Sequence, residues 1–250
     1  SIVDFLVLVF TDSRTGEIAL LCSGGFCVFM ICIHKKYSRK IAANIGIAVM
    51  AAFLLTIVTA GGVHIVKMQY NQKLSPVFAK MFPKEKKPAK SGNVGRKQDI
   101  EEDVSNGRFA IWESGFEVWK TTPIYGTGYT TFIPYTKEHL PDTYVVNNHQ
   151  GNYGSLHNAF LNTLVFQGII GFLILIAIGL KMIIYIWNPL LHDQKSDYCD
   201  MIFMTGCIVA VVVSMLFLLE GVYTNSPGSF VLWTFSGYLI HYAYRTRKEN

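Results

Sequence analysis

Five long apolar blocks restrict the fold of this chain more than any other feature: residues 17–33, 41–65, 159–187, 199–219 and 230–244. Their apolar residues cluster instead of alternating with polar ones. A run of about 20 such residues, at about 1.5 Å each, crosses the hydrocarbon core of a bilayer as a helix. The last block is short and is expected to begin a few residues earlier. Residues 1–10 read as the tail of a sixth span, because the chain opens inside an apolar run with no initiator methionine and no signal-peptide n-region. The expected fold is an all-α, polytopic membrane helix bundle, with five complete spans and a partial N-terminal one. It reads as an N-terminally truncated piece of a larger membrane protein. Composition agrees, with 51% hydrophobic and 16% charged residues.

The net charge of +5 acquires meaning from its placement. The short loop "HKKYSRK" (34–40) holds four basic residues, and the C-terminal "YRTRKEN" holds three more. Short loops rich in Lys and Arg stay on the cytoplasmic side. With those two elements and the 188–198 loop inside, the segment 67–156 lies outside, together with "TDSRTG" (11–16) and "EGVYTNSPGS" (220–229). The chain divides accordingly into spans 1–66, an extracytoplasmic loop 67–156, and spans with a short tail over 157–250. Cys22, Cys27, Cys32, Cys199 and Cys207 all fall in or beside predicted spans, with no CxxC pattern. They read as small membrane-core residues, the first three rotating around one helix.

The outer loop has three parts. "FPKEKKPAKSGNVGRKQD" is rich in Lys, Pro and Gly and reads as a weakly structured tether, or as a segment drawn to anionic lipid or glycan. In "SNGRFAIWESGFEVWKTTPIYGTG", Phe109, Trp112, Phe116 and Trp119 fall in one sector at helical spacing. This predicts an amphipathic helix lying in the bilayer interface, ended by Pro123 and followed by a tight turn at Gly126 and Gly128. Residues 129–156, rich in Tyr, Asn and Gly, are expected to form an irregular cover over the outer face.

On this topology Arg14, Arg108 and His157 share one side of the membrane, each near a span boundary. His157 is expected in the first turn of the third span, with Ser155 as its N-cap. A helix N-terminus carries roughly half a positive charge, which favours anions and lowers the pKa of a nearby histidine. A neutral imidazole suits a general base. Two other readings stand beside it: an interfacial anchor, and a metal ligand paired with His149. Against the latter, the His149–His157 spacing fits no helical ligand pair, and no Cys or acidic cluster completes it. Asn158 and Asn162, four apart on one face, either line a hydroxyl-rich site or bond a neighbouring helix.

"TDSRTG" after an apolar run, "GRFAIW" with "PIYGTG" downstream, and "LHNAFLNTLVFQGIIGF" together resemble the O-antigen ligase and polymerase superfamily, bacterial membrane glycosyltransferases of the GT-C type. The resemblance covers residues 11 to 172. It implies a glycan donor linked by diphosphate to a polyprenol (such as undecaprenyl diphosphate), a glycan or lipid acceptor, and transfer on the outer face of the cytoplasmic membrane without metal or cofactor. On that reading His157, Arg108 and Arg14 are catalytic. His157 takes the acceptor's proton, and the arginines, as planar bidentate donors, stabilise the departing diphosphate. Asn158, Asn162 and Trp112 are expected to contact substrate. The product would be a surface polysaccharide, by ligation or by polymerisation. A lipid-linked sugar flippase and a non-catalytic glycan-binding membrane protein are the alternatives. No GxxxxGK[ST] or GxGxxG motif is present, which argues against an energy-coupled pump, and no nucleic-acid partner is expected.

Overall fold

The computed structural model describes residues 13–34, 41–74, 76–77, 107–148, 151–192 and 198–249. Among these every regular element is helical. The chain divides into two compact units, Ser1–Val104 and Ser105–Asn250. The lysine-rich tether and His149 lie outside the described residues.

In the first unit, α1 (Arg14–His34) starts behind Ser13, whose Oγ accepts the Gly16 amide at 3.1 Å. This side-chain cap satisfies one of the free N-terminal donors, and Glu17 in the first turn complements the helix dipole. α2 (Ile41–Gln69) runs through the second predicted block and ends in a π-helical turn, Tyr70–Leu74. α1 and α2 pack on each other, and Ala19, Met30 and Val63 are buried. Along α1, Cys22 is exposed, Cys27 half-buried and Cys32 buried, as their five-residue rotation requires.

The second unit holds α3 (Arg108–Thr121), α4 (Phe132–His139), α5 (Ala159–His192), α6 (Tyr198–Met215) and α7 (Pro227–Glu249). Three helical stretches among the described residues are long and apolar enough to cross a membrane: Thr15–Ile33, Ala159–Trp187 and Tyr198–Met215. The other two predicted blocks are helical as well, in α2 and α7. α6 stops four residues short of the expected end, where Leu216, Phe217 and Leu218 turn back onto Val213 and Ser214 carbonyls. α7 begins three residues early, at Pro227. Ser226 caps it through the Ser229 amide at 3.1 Å, and Pro227 occupies the position where a missing N–H costs nothing.

The third predicted span is not one continuous helix. Gly168, at φ 65° and ψ −169°, interrupts α5. A regular helix would bond Ile169 N to Val165 O and Ile170 N to Phe166 O. The Pro123–Gly128 loop takes all four groups instead. Ile169 N donates to Pro123 O (2.8 Å) and Ile170 N approaches Ile124 O (3.5 Å), while Thr127 N donates to Val165 O (3.0 Å) and Gly128 N to Phe166 O (2.8 Å). The fit depends on two bare backbones. A Cβ on Gly126 would come 2.6 Å from Gln167 N, and one on Gly168 would strike Ile124 O. The expected turn at Gly126 and Gly128 is present, with φ 71° and 82°.

The break also divides α5 by environment. Ala159, Leu161, Asn162, Thr163, Val165 and Phe166 are buried, whereas Ile169, Ile170, Leu173, Ile174, Ile183 and Ile184 are exposed. The N-terminal half packs against α3 and the 129–156 segment. That segment is more ordered than an irregular cover, because it contains α4 and contributes Phe132, Val145 and Leu156 to one core with Ile111, Val118 and Phe166.

α3 packs on this core through a stripe beside the aromatic one that was expected to face the bilayer interface. Ile111, Ser114, Gly115 and Val118 face the core. Phe109 remains 67% exposed and Phe116 is also exposed, while Trp112 and Trp119 are only partly buried at the edge of the core. Trp112 and Trp119 border the edge of the buried stripe at Gly115, where small side chains let α3 approach Leu156 closely, and Phe109 and Phe116 lie farther round the helix.

Candidate functional site

His157 is set by three backbone hydrogen bonds, two on Leu156 and one on its own amide. Leu156 is fully buried over Gly115, where a Cβ would come 2.7 Å from Leu156 Cδ1. Its amide donates to Asn162 Oδ1 at 3.0 Å, and its carbonyl accepts Trp112 Nε1 at 2.9 Å. Ser155 Oγ accepts both the His157 amide (3.1 Å) and Asn162 Nδ2 (3.3 Å). The chain then passes through His157 with φ 51°, a left-handed conformation rare for a non-glycine residue. α5 starts two residues later, at Ala159.

This corrects the expected cap. Asn158, not Ser155, is the N-cap, accepting the Leu161 amide on its Oδ1 at 3.0 Å. His157 accordingly precedes the helix instead of occupying its first turn. Expected beside the substrate, Asn162 is 0% exposed, and its amide group holds the Leu156 backbone and the Ser155 hydroxyl. Trp112 likewise spends its only N–H on Leu156. Asn162 and Trp112 thus converge on the two residues before His157, while Asn158 caps the helix after it.

Arg108 opens α3 immediately after Gly107, whose φ of 76° turns the chain into the helix. Its guanidinium lies 5.8 Å from the centroid of the Phe217 ring, within cation–π range. It is also near enough to act electrostatically on His157. The imidazole pKa is lowered, first by burial, which penalises the charged form, and second by the Arg108 charge. A lowered histidine was expected, but from the helix N-terminus; the causes here are burial and a cation brought from 49 residues upstream. An unprotonated ring nitrogen beside a permanent cation can accept a proton while the cation binds an anion.

Arg14 is the first residue of α1, in the other compact unit, and its side chain lies outside the described residues. Among the described residues no cluster of three or more His, Cys, Asp or Glu side chains is arranged for a metal ion.

Several aromatic neighbours were not legible as site residues. Tyr153 meets His157 edge-on, with ring centroids 6.3 Å apart, and stacks on Tyr144 at 5.9 Å. Burial and then Tyr144 push the Tyr153 phenol pKa up, so it remains a protonated donor near neutral pH. Behind them Tyr223 stacks on Tyr129 at 5.6 Å and donates to Thr163 Oγ1 at 3.2 Å. Tyr153 stands four residues before His157, but the segment between them is not helical, so spacing gives no signal for their contact. Phe217 has no local signal, since the connection after α6 brings it to Arg108.

Residues 1–176 match a family model described as O-antigen ligase, an interval that contains Arg14, Arg108, Trp112, His157, Asn158 and Asn162. A Haemophilus influenzae protein whose own description reads "Uncharacterized protein" is 26% identical over 203 residues, covering 81% of this chain and 44% of that relative. The chain thus spans less than half the length of that relative. No solved structure matches.

Proposed function

The chain belongs to the O-antigen ligase family, and from that premise we propose that it is a membrane glycosyltransferase moving a glycan from a polyprenyl-diphosphate donor to an acceptor hydroxyl. The reaction takes place on the outer face of the cytoplasmic membrane, in a bundle of five spans whose short basic loops lie inside. The observation that carries this reading is the pairing of Arg108 with a half-buried His157 whose pKa is lowered. The acceptor oxygen attacks the anomeric carbon, and its proton passes to the free ring nitrogen of His157. The bond between that carbon and the diphosphate oxygen breaks, and its electron pair stays on the diphosphate. Arg108 balances the charge that develops there. One in-line displacement inverts the anomeric centre. Asn158, Asn162 and Trp112 hold the histidine in place.

A lipid-linked sugar flippase would also use a broken helix, with unwound backbone groups exposed to bind substrate. α5 is broken, but the Pro123–Gly128 loop occupies the backbone groups freed there, which favours transfer over transport.

The test is transfer by the full-length protein in proteoliposomes, from a polyprenyl-diphosphate-linked glycan, with EDTA present. Turnover should persist, and Arg108→Lys, which keeps the charge but loses the planar fork, should be strongly impaired. Loss of transfer in EDTA with recovery on adding a divalent ion would overturn the metal-independent mechanism. Transfer from a nucleotide sugar alone would overturn the donor.

A further inference from the structure

We propose that the outer boundary of the bilayer hydrocarbon meets α5 at its break, Gly168, and that the loop tip Ile124–Tyr125 is embedded in the outer leaflet beside it. Three observations converge on this. The first is the change of environment along α5. Before the break the helix buries Asn162 and Thr163 with its apolar residues inside protein, and after it the isoleucines and leucines face outward. The second is length. Residues 169–187 rise about 28 Å as a helix, which by itself matches a hydrocarbon core of about 30 Å. That stretch ends at Trp187, a residue type that favours the membrane–water interface. A span beginning at Ala159 would be about 43 Å long and would place two buried polar side chains within the core.

The third observation is the loop itself. Ile124 is 52% and Tyr125 78% exposed, and the Pro123–Ile124 carbonyls accept the Ile169 and Ile170 amides. Backbone pairing fixes these residues at one depth. The exposed side chains of Ile124, Tyr125, Ile169 and Ile170 therefore extend the apolar surface of the span up to the break, where the exposed Gln167 marks its polar edge. Non-helical backbone persists at membrane depth only where its groups are bonded within protein, and the four-bond closure at the break meets that requirement. Residues 159–167 then stand outside the hydrocarbon, with Ala159, the start of the half-helix that follows His157, about 13 Å beyond the boundary.

The experiment is nitroxide scanning in phosphatidylethanolamine–phosphatidylglycerol vesicles, on full-length protein lacking the native cysteines. Labels at Tyr125→Cys, Ile170→Cys and Leu180→Cys, all exposed positions, are compared with Glu113→Cys for collision with oxygen and with a water-soluble nickel chelate. With the boundary at Gly168, Ile170 lies only about 3 Å deep, whereas a span from Ala159 would put it about 16 Å deep, near the bilayer centre. The expected result is shallow lipid burial at 125 and 170, the deepest burial at 180, and water exposure at 113. A label at 170 as deep as that at 180 overturns the boundary. A label at 125 that is nickel-accessible, or shielded from both reagents by another protein segment, overturns the embedded tip.

Discussion

Adding one methyl group at Gly168 attacks the joint that organises the second unit. Its φ of 65° with ψ of −169° is a region essentially restricted to glycine, and holding alanine there costs about 1–3 kcal/mol. The new Cβ would also strike the Ile124 carbonyl and Tyr125 amide, so the loop must withdraw. Withdrawal breaks the hydrogen bonds from Thr127 to Val165, Gly128 to Phe166 and Ile169 to Pro123. At about 1 kcal/mol each, their loss brings the total for Gly168→Ala to about 4–6 kcal/mol. Gly179→Ala is the matched control, since it lies in regular helix with nothing within 4 Å of the added Cβ. Relief of glycine's entropic cost should stabilise that variant by up to about 1 kcal/mol. Thermal unfolding in detergent, followed by tryptophan fluorescence, compares the two. The protein with Gly168→Ala should melt far below the parent, and that with Gly179→Ala at or above it. Equal melting for Gly168→Ala and the parent would refute the claim that the loop and the helix break are one specific joint.

Other outcomes follow from the clasp around His157. Asn162→Leu leaves the buried Leu156 amide without its acceptor and should cost about 1–3 kcal/mol by chemical denaturation, with transfer activity reduced more than donor binding. Asn158→Ala removes the α5 cap and should cost about 1 kcal/mol, and Asn158→Asp should restore most of it. Replacing Arg108 with Gln should raise the His157 pKa only part of the way to its ordinary value, because burial, the larger cause, remains. The pH profile of diethyl pyrocarbonate modification at that histidine, read by peptide mass spectrometry, should shift to higher pH. As pH falls, unfolded chain takes up the His157 proton first. Its penalty on stability should therefore accrue from about pH 6.5 downward and be absent above it.

Local chemistry made the helix ends legible. "TDSRTG" and "NSPGS" carry their own caps in Ser13 and Ser226, and the glycines of "PIYGTG" announced a turn that is present. The target of that turn was not legible. "FQGIIGF" offers two glycines inside an apolar run, and only the docking of a loop some 40 residues upstream selects Gly168 as the break. At the site, both Ser155 and Asn158 are competent caps by type. The choice between them was decided by the tertiary bonds that fix Leu156 and force His157 into a left-handed turn. The aromatic stripe of α3 was legible from its spacing, but the face that packs on protein was not, because the small residues Ser114 and Gly115 define it together with Ile111 and Val118.

The central claim is that His157, positioned by its buried neighbours and kept neutral beside Arg108, takes the acceptor's proton. Single-turnover transfer by His157→Ala in the full-length protein tests it most directly, across a pH series and with lipid-linked donor binding measured on the same preparation. Loss of a general base predicts a rate lower by about 10²–10⁴-fold, with donor affinity nearly unchanged and the acid limb of the parent profile abolished. A rate within about threefold of the parent at every pH would contradict the account and leave the histidine as an anchor at the membrane surface.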